Sequence, residues 1–195
     1  MPAWATVKSL SIILPTRDDA YRIKAALGSL QPLRERGAEV VVVDGGSSDA
    51  TPVLCQGLAD RVIGAPRGRA RQLNTGAAEV RGEVLLFLDL DTRLPRGGPK
   101  AAVRAVEAGA AWGCFSLRAE GALAPVLAAW RMNLGARWFG IARFEQAIFV
   151  ERDAFEAAGG WPDQPQNEDI AFSRRLREAG RKPVVLTLAV RRVPA

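Results

Sequence analysis

The sequence has 195 residues, 48% apolar and 25% charged, the balance of an ordinary globular chain large enough for one hydrophobic core. Its net charge of +6 is carried almost wholly by arginine; the arginines are scattered and no nucleic-acid motif occurs, which argues against a nucleic-acid partner. Histidine is absent, so the expected catalytic base is a carboxylate and the expected metal site is built mainly from oxygen.

The stretch from Met1 to Leu14 carries one lysine and a short apolar run closed by Pro15, too short for a signal-peptide core and without a small-residue cleavage site. No run approaches the ~18 apolar residues of a membrane span. A cytoplasmic protein is expected, with peripheral contact to the inner face of a membrane as the alternative. Within that first stretch, Ser9 to Leu14 (SLSIIL) predicts a strand, and Asp19 to Leu30 a helix with Ile23, Ala26, Leu27 and Leu30 on one face. Glu39 to Val43 (EVVVV) is apolar throughout, the pattern of a strand covered on both sides. Asp44-Gly45-Gly46-Ser47-Ser48-Asp49 then turns into a helix around Pro52 to Leu58. Cys55 and Cys114, far apart in apolar surroundings, are expected as buried free thiols.

A short strand near Arg61 to Ile63 precedes a helix from about Arg69 to Val80. The buried strand Val84 to Leu88 (VLLFL) runs straight into Asp89-Leu90-Asp91. A helix around Lys100 to Ala108 and a strand from Ala111 to Leu117 continue a βαβ progression, which predicts an α/β fold with an open, mainly parallel sheet. Ala122 to Phe144 is apolar, with arginines at 131, 137 and 143 and aromatics at Trp130, Trp138, Phe139 and Phe144. Its spacing predicts a core helix packed on the sheet; the competing reading is a surface for an apolar acceptor. A strand at Ala147 to Val150, a helix from Asn167 to Ala179 ended by Gly180, and a strand from Val184 to Leu188 complete the series.

Open α/β sheets bind ligands beyond the carboxyl ends of their strands. Acidic residues fall at three such ends: Asp18-Asp19, Asp44, and Asp89 with Asp91. Two carboxylates two residues apart on a turn can share one Mg²⁺ or Mn²⁺ whose shell a diphosphate completes, with the ion acting as a Lewis acid toward a departing diphosphate. Asp44, ahead of two glycines, suits a nucleobase or ribose hydroxyl, while Asp49 reads as a helix cap. Glu168-Asp169 opens a helix, where acids favour the dipole; a general base and a plain first-turn acid fit the pattern equally. Arg67, Arg69 and Arg71 oppose the dipole at the start of their helix, and Arg71 fits either a diphosphate contact or a solvated face.

SIILPTRDD, VVVDGGSSDAT, GRARQLNTGA, LLFLDLDTRLP, EQAIFVERDAFEAAGGW and NEDIAFSRRLREAG, in this order over Ser9 to Leu188, resemble the family 2 glycosyltransferases. The resemblance implies a GT-A fold in a single domain over 1–195, with a nucleotide-binding half at about 9–95 and an acceptor half at about 96–190. It implies an inverting transferase that takes a nucleotide-diphosphate sugar as donor and a small-molecule or lipid-linked acceptor. Pro15, Thr16, Asp19 and Asp44 would line the nucleoside pocket, and Arg71 would face the donor. Asp89 and Asp91 would form the DxD pair, with Asp91 the direct metal ligand. Asp169 would be the base, with Glu145, Gln146, Trp161 and Glu168 on the acceptor side.

The motifs are most similar to a small bacterial subgroup associated with radical-SAM genes and proposed for arsenosugar biosynthesis. That subgroup reads Gly-Asp-Gln where this chain has Phe144-Glu145-Gln146, and continues past the last strand into a basic, apolar tail, so a trimmed or separately completed acceptor side is expected. Two other functions compete. A nucleotidyltransferase shares the sheet, but its triphosphate-gripping glycine-rich loop is replaced here by the acidic PTRDD. A non-catalytic sugar-nucleotide-binding module would draw on the altered Gly-Asp-Gln motif.

Overall fold

The structure is a computed structural model that describes residues 8–119 and 123–193. The beginning of the N-terminal stretch and the Ala122 start of the apolar helix lie outside the described residues. Eight strands occur in chain order: β1 (Leu10–Thr16), β2 (Glu39–Asp44), β3 (Arg61–Gly64), β4 (Val84–Phe87), β5 (Thr92–Arg93), β6 (Trp112–Arg118), β7 (Phe149–Glu151) and β8 (Val184–Arg192). The helices are α1 (Ile23–Gly28), α2 (Gln31–Arg34), α3 (Thr51–Leu54), α4 (Arg69–Glu79), α5 (Gly98–Glu107), α6 (Leu123–Phe139), α7 (Arg152–Ala157) and α8 (Glu168–Glu178).

The strands form one mixed sheet in the order β3-β2-β1-β4-β7-β6-β8-β5. The first four are mutually parallel, and β7 runs antiparallel between β4 and β6. The chain builds β2 and β3 to one side of β1 and then crosses to lay β4 on the other side. That reversal puts a crevice at the carboxyl ends of β1 and β4.

Strand periodicity divides the core into two layers. Ile12, Leu14, Val40, Val42 and Leu86 face Ile23 and Leu27 of α1 and Ala102 and Val106 of α5. Ile13, Val41, Val43, Leu85 and Phe87 face Leu73 and Ala77 of α4 and Phe172 and Leu176 of α8. Each fully buried aliphatic side chain contributes about 1.5–3 kcal/mol. Helix α4 approaches β1 and β2 so closely that a Cβ on Gly76 would lie 2.6 Å from Ile13 and 2.8 Å from Val43.

Several predicted boundaries shift for local reasons. The helix expected from Asp19 begins at Ile23, because Asp19 O accepts the N–H groups of Arg22 and Ile23 in a preceding turn. It breaks after Gly28 and resumes as α2 around Pro32. The helix at Pro52 starts at Thr51 and stops at Leu54, and β8 runs four residues beyond Leu188. A two-residue irregularity in β8 between the partners of Phe115 and Ser116 interrupts the periodicity that would have revealed this extension. Helices α2 and α7 and strand β5 have two to six residues each and leave no periodic signal.

One expectation is overturned. The apolar segment is a helix, α6, but only Ala129 and Ala136 of it are buried. Leu123, Leu127, Trp130, Trp138 and Phe139 are all exposed. Most of the large apolar side chains point outward, while Ala129 and Ala136 are buried and Met132 packs against the edge of the core. Cys55 and Cys114 are buried free thiols, as expected.

Candidate active site at the carboxyl ends of β1, β2 and β4

Strand β1 delivers Thr16 and β2 delivers Asp44 in register with it. Their ends are locked together by the Gln72 amide of α4, which donates to Thr16 O and Val43 O, both at 2.8 Å. Gly45 is required beside this clamp, since a Cβ there would lie 2.9 Å from the Gln72 amide carbon. Asp44 is turned back on its own loop. One carboxylate oxygen accepts the backbone N–H groups of Gly46 and Ser47, and the other takes the Ser47 hydroxyl.

The loop after β1 is held by carboxylates on both sides. The Asp19 carboxylate accepts the Thr16 hydroxyl and the Arg17 N–H, each at 2.9 Å, and is buried. Asp18 accepts the N–H and hydroxyl of Ser48, which hold its carboxyl below the usual carboxylate range. Asp49 accepts the N–H and hydroxyl of Thr51, the first residue of α3, and with its other oxygen reaches across to the Ala20 N–H at 3.0 Å, joining the β1 and β2 loops.

Asp89 and Asp91 leave β4 on a turn closed by the Thr92 N–H to Asp89 O bond. Arg22 donates to Asp91 at 2.6 Å and to Asp19 at 2.6 Å, bridging the β1 and β4 loops. Burial lowers the tendency of Arg22 to stay charged, but the hydrogen bonds to Asp91 and Asp19 outweigh it and raise its pKa. Arg192 approaches Asp91 at 3.6 Å, and the Val193 N–H donates to Asp91 O at 2.7 Å. The end of β8 therefore braces the turn, a contact that nothing in the local sequence announces. Burial pushes the Asp89 carboxyl above its usual range, and the neighbouring Asp91 charge pushes it the same way.

Two carboxylates two residues apart, one of them disfavoured as an anion, could hold a small divalent ion, Asp91 by exchanging its Arg22 partner for it. No cluster of three or more acidic or cysteine ligands occurs among the described residues. The protein thus offers Asp89 and Asp91, and a bound diphosphate and water would have to complete an oxygen shell.

Asp91 lines a cleft of about 430 Å³ together with Leu117, Ala129, Met132 and Glu145. One carboxylate oxygen of Glu145 is buried there without a hydrogen-bond partner among the described residues. Gln146 is fully buried instead. Its amide donates to Phe115 O at 3.4 Å and to the Asn133 side chain at 3.3 Å, so it braces the turn beneath the cleft.

Asp169, in the first turn of α8, accepts the Phe144 N–H at 3.0 Å and pairs with Arg143 at 3.1 Å. It is only 1% exposed and lies under the turn that carries Glu145. Glu168 is also buried and pairs with Arg69, whose guanidinium stacks 4.7 Å above the Phe144 ring. Arg71 reaches outward to Asp163 at 2.8 Å, in the loop after Trp161. Trp161 is a core residue, packed between Phe87, Phe144 and Phe172. Asn74 grips it by accepting its N–H and donating to its carbonyl, both at 2.8 Å.

The structure thus gathers Thr16, Asp19, Asp44, Asp89 and Asp91 at one rim, and Glu145 shares with Asp91 the lining of the cleft. Gln146, Trp161, Glu168 and Asp169 lie beneath the surface as supports in this conformation. Sequence reasoning missed Arg22, Gln72, Asn74, Asn133, Arg143 and Arg192. Each is an ordinary polar residue locally and acquires its role from a contact distant in sequence.

The model of "Glycosyl transferase family 2" matches residues 11–146, well over half of the chain. The chain is 27% identical, over 71% of its length, to a beta-monoglucosyldiacylglycerol synthase of Synechocystis, covering 33% of that protein. It is 25% identical, over 92% of its length, to the probable glycosyltransferase YdaM of Bacillus subtilis, covering 50% of it. The chain therefore spans between a third and a half of the length of these curated relatives. Its fold matches a mannosyltransferase of Pyrobaculum calidifontis solved with GDP-Man and Mn²⁺, with a TM-score of 0.74 and 22% identity over 97% of this chain and 58% of that one. The crevice at the β1–β4 reversal, its rim of carboxylates and the family match over residues 11–146 agree: this chain is a member of glycosyl transferase family 2 with the GT-A fold.

Proposed function

We propose that the chain transfers a sugar from a nucleotide-diphosphate donor to an acceptor hydroxyl with inversion, assisted by Mg²⁺ or Mn²⁺. The observation that carries this reading is the convergence of Asp19, Asp44, Asp89 and Asp91 at the strand-order reversal, with Asp91 opening onto the cleft that Glu145 also lines. The nucleoside would lie along Pro15, Thr16, Asp19 and Asp44, and Arg71 would turn from Asp163 toward the donor phosphates.

Asp91, with Asp89 beside it, would hold the divalent ion. The ion would supply Lewis-acid neutralisation of the leaving diphosphate. The acceptor would enter from the cleft past Glu145, with Glu168 and Trp161 supporting that side from below. Asp169 would accept the acceptor proton in an in-line displacement, which requires its pairing with Arg143 to open. The sequence motifs support placement in the radical-SAM-associated subgroup, and a small-molecule or lipid-linked acceptor agrees with the apolar lining of the cleft.

A thermal-shift panel of nucleoside diphosphates with and without Mn²⁺ tests the donor half, because a ligand of the folded state raises the melting temperature. One nucleotide should give a metal-dependent shift that Asp91→Asn abolishes. Asp169→Asn should retain the shift yet lose transfer by about 100-fold or more, the scale of a positioned general base. A shift independent of metal, or full turnover by either variant, contradicts the assignment.

A further inference from the structure

Helix α6 is the most conspicuous apolar surface of the molecule. Leu123, Leu127, Trp130 and Trp138, with the half-buried Leu134 between them, follow the i, i+4, i+7, i+11, i+15 spacing that aligns them on one outward stripe. Trp138 is 77% exposed and Leu123 80%. At 100° per residue, Arg131 and Arg137 flank that stripe on either side, Arg137 also reaching back to the Ser116 hydroxyl at 3.5 Å, and the helix contains neither Asp nor Glu. The opposite face is fastened to the sheet. Ala129 and Ala136 are buried, and Asn133 accepts the Leu117 N–H at 2.8 Å and donates to its carbonyl at 2.9 Å.

We infer that α6 is an interfacial anchor that lays this stripe into an anionic membrane surface. Exposed tryptophans with leucines between flanking arginines match the chemistry of a helix lying at the boundary between headgroups and acyl chains. Its 17 residues extend about 25 Å, short of the ~30 Å hydrocarbon core, and no described helix is long and apolar enough to cross a membrane. The helix therefore lies on the bilayer and does not span it. A second copy of the chain is a poorer occupant. Two such faces pressed together would oppose arginine to arginine with no carboxylate on the helix to receive them.

The inner edge of the same helix, at Ala129 and Met132, lines the cleft that Asp91 also lines. An anchored α6 would place that cleft at the headgroup level, where a lipid-linked acceptor can enter. This second step rests on the proposed transferase activity; the anchoring does not.

The test is co-sedimentation of the full chain with phosphatidylcholine vesicles and with mixed phosphatidylcholine–phosphatidylglycerol vesicles. Binding is expected to the mixed vesicles, weakening as salt rises, with a blue shift of tryptophan emission. Trp130→Ser combined with Trp138→Ser should abolish it, and Arg131→Gln should weaken it severalfold. Both variants should keep the wild-type melting temperature and any nucleotide–Mn²⁺ shift, which shows that folding and the donor site are intact. Equal binding by wild type and the tryptophan variant overturns the anchor. So does absence of vesicle binding, or a solution dimer that the tryptophan variant dissociates. Vesicle binding without any nucleotide shift overturns only the delivery of an acceptor to the cleft.

Discussion

Arg22 joins the two loops that define the site, since its guanidinium reaches Asp19 and Asp91 together. Removing it leaves the buried Asp19 without its Arg22 partner and Asp91 with the more distant Arg192, 3.6 Å away. Arg22→Ala should therefore lower stability by about 1–3 kcal/mol, the range for charge-assisted hydrogen bonds. If Asp91 holds a divalent ion, Mn²⁺ should then raise the melting temperature of this variant more than that of the wild type, because the ion replaces the missing charge. Asp60 makes a second prediction at the same scale. Its burial is outweighed by hydrogen bonds from Arg34 and from the Val40 N–H, so its carboxyl lies below the usual value. Such a group contributes stability above its unfolded pKa of about 3.9 and loses it as pH falls through the lower folded value. Asp60→Asn should thus cost up to about 1 kcal/mol at neutral pH, a figure kept small by solvent screening, and the difference should vanish in acid. Urea unfolding of both proteins between neutral pH and pH 3 measures it.

Among the elements, α4 controls the distance between the sheet and the donor side. It carries the Gln72 clamp, the Asn74 grip on Trp161 and the Arg69 and Arg71 pairs, and it can do so only because Gly76 lets it approach β1 and β2. Gly76→Ala inserts a methyl group 2.6 Å from Ile13, within the backing of both strands. The expected cost is about 1–3 kcal/mol of overpacking, offset only slightly by alanine's better helix propensity. Loss of affinity for nucleotide should accompany the lower melting temperature, since the clamp moves with the helix. Boundaries of this and the other long elements were largely legible in the sequence, because periodic burial leaves a periodic pattern. Strand β5 and helices α2 and α7 were not, being too short to complete a period. Helix α6 shows the converse failure. Its apolar spacing promised burial, yet hydrophobicity states only that a surface avoids water and leaves open whether protein or another phase covers it.

Across the whole molecule, the two thiols offer a check on the core. Burial pushes Cys55 up to about 11, assisted by the Asp44 charge, and pushes Cys114 up to about 12 despite Arg137 nearby. Neither should react with a thiol reagent at pH 8 in the native state, and both should react once denaturant opens the sheet; early labelling of either would contradict its place in the core. By itself the sequence determined the alternation of strand and helix, the layered core and the positions of Asp19, Asp44, Asp89 and Asp91 at strand ends, since these follow from local periodicity and from where an apolar run stops. Tertiary structure alone decided which of these carboxylates meet. The strand order sets β4 beside β1, Arg22 and the end of β8 close on Asp91, and the Phe144–Gln146 turn covers Asp169. Those pairings link residues as many as 101 positions apart. Such separations leave no mark on neighbouring residues, because their energy arises only when the sheet is assembled.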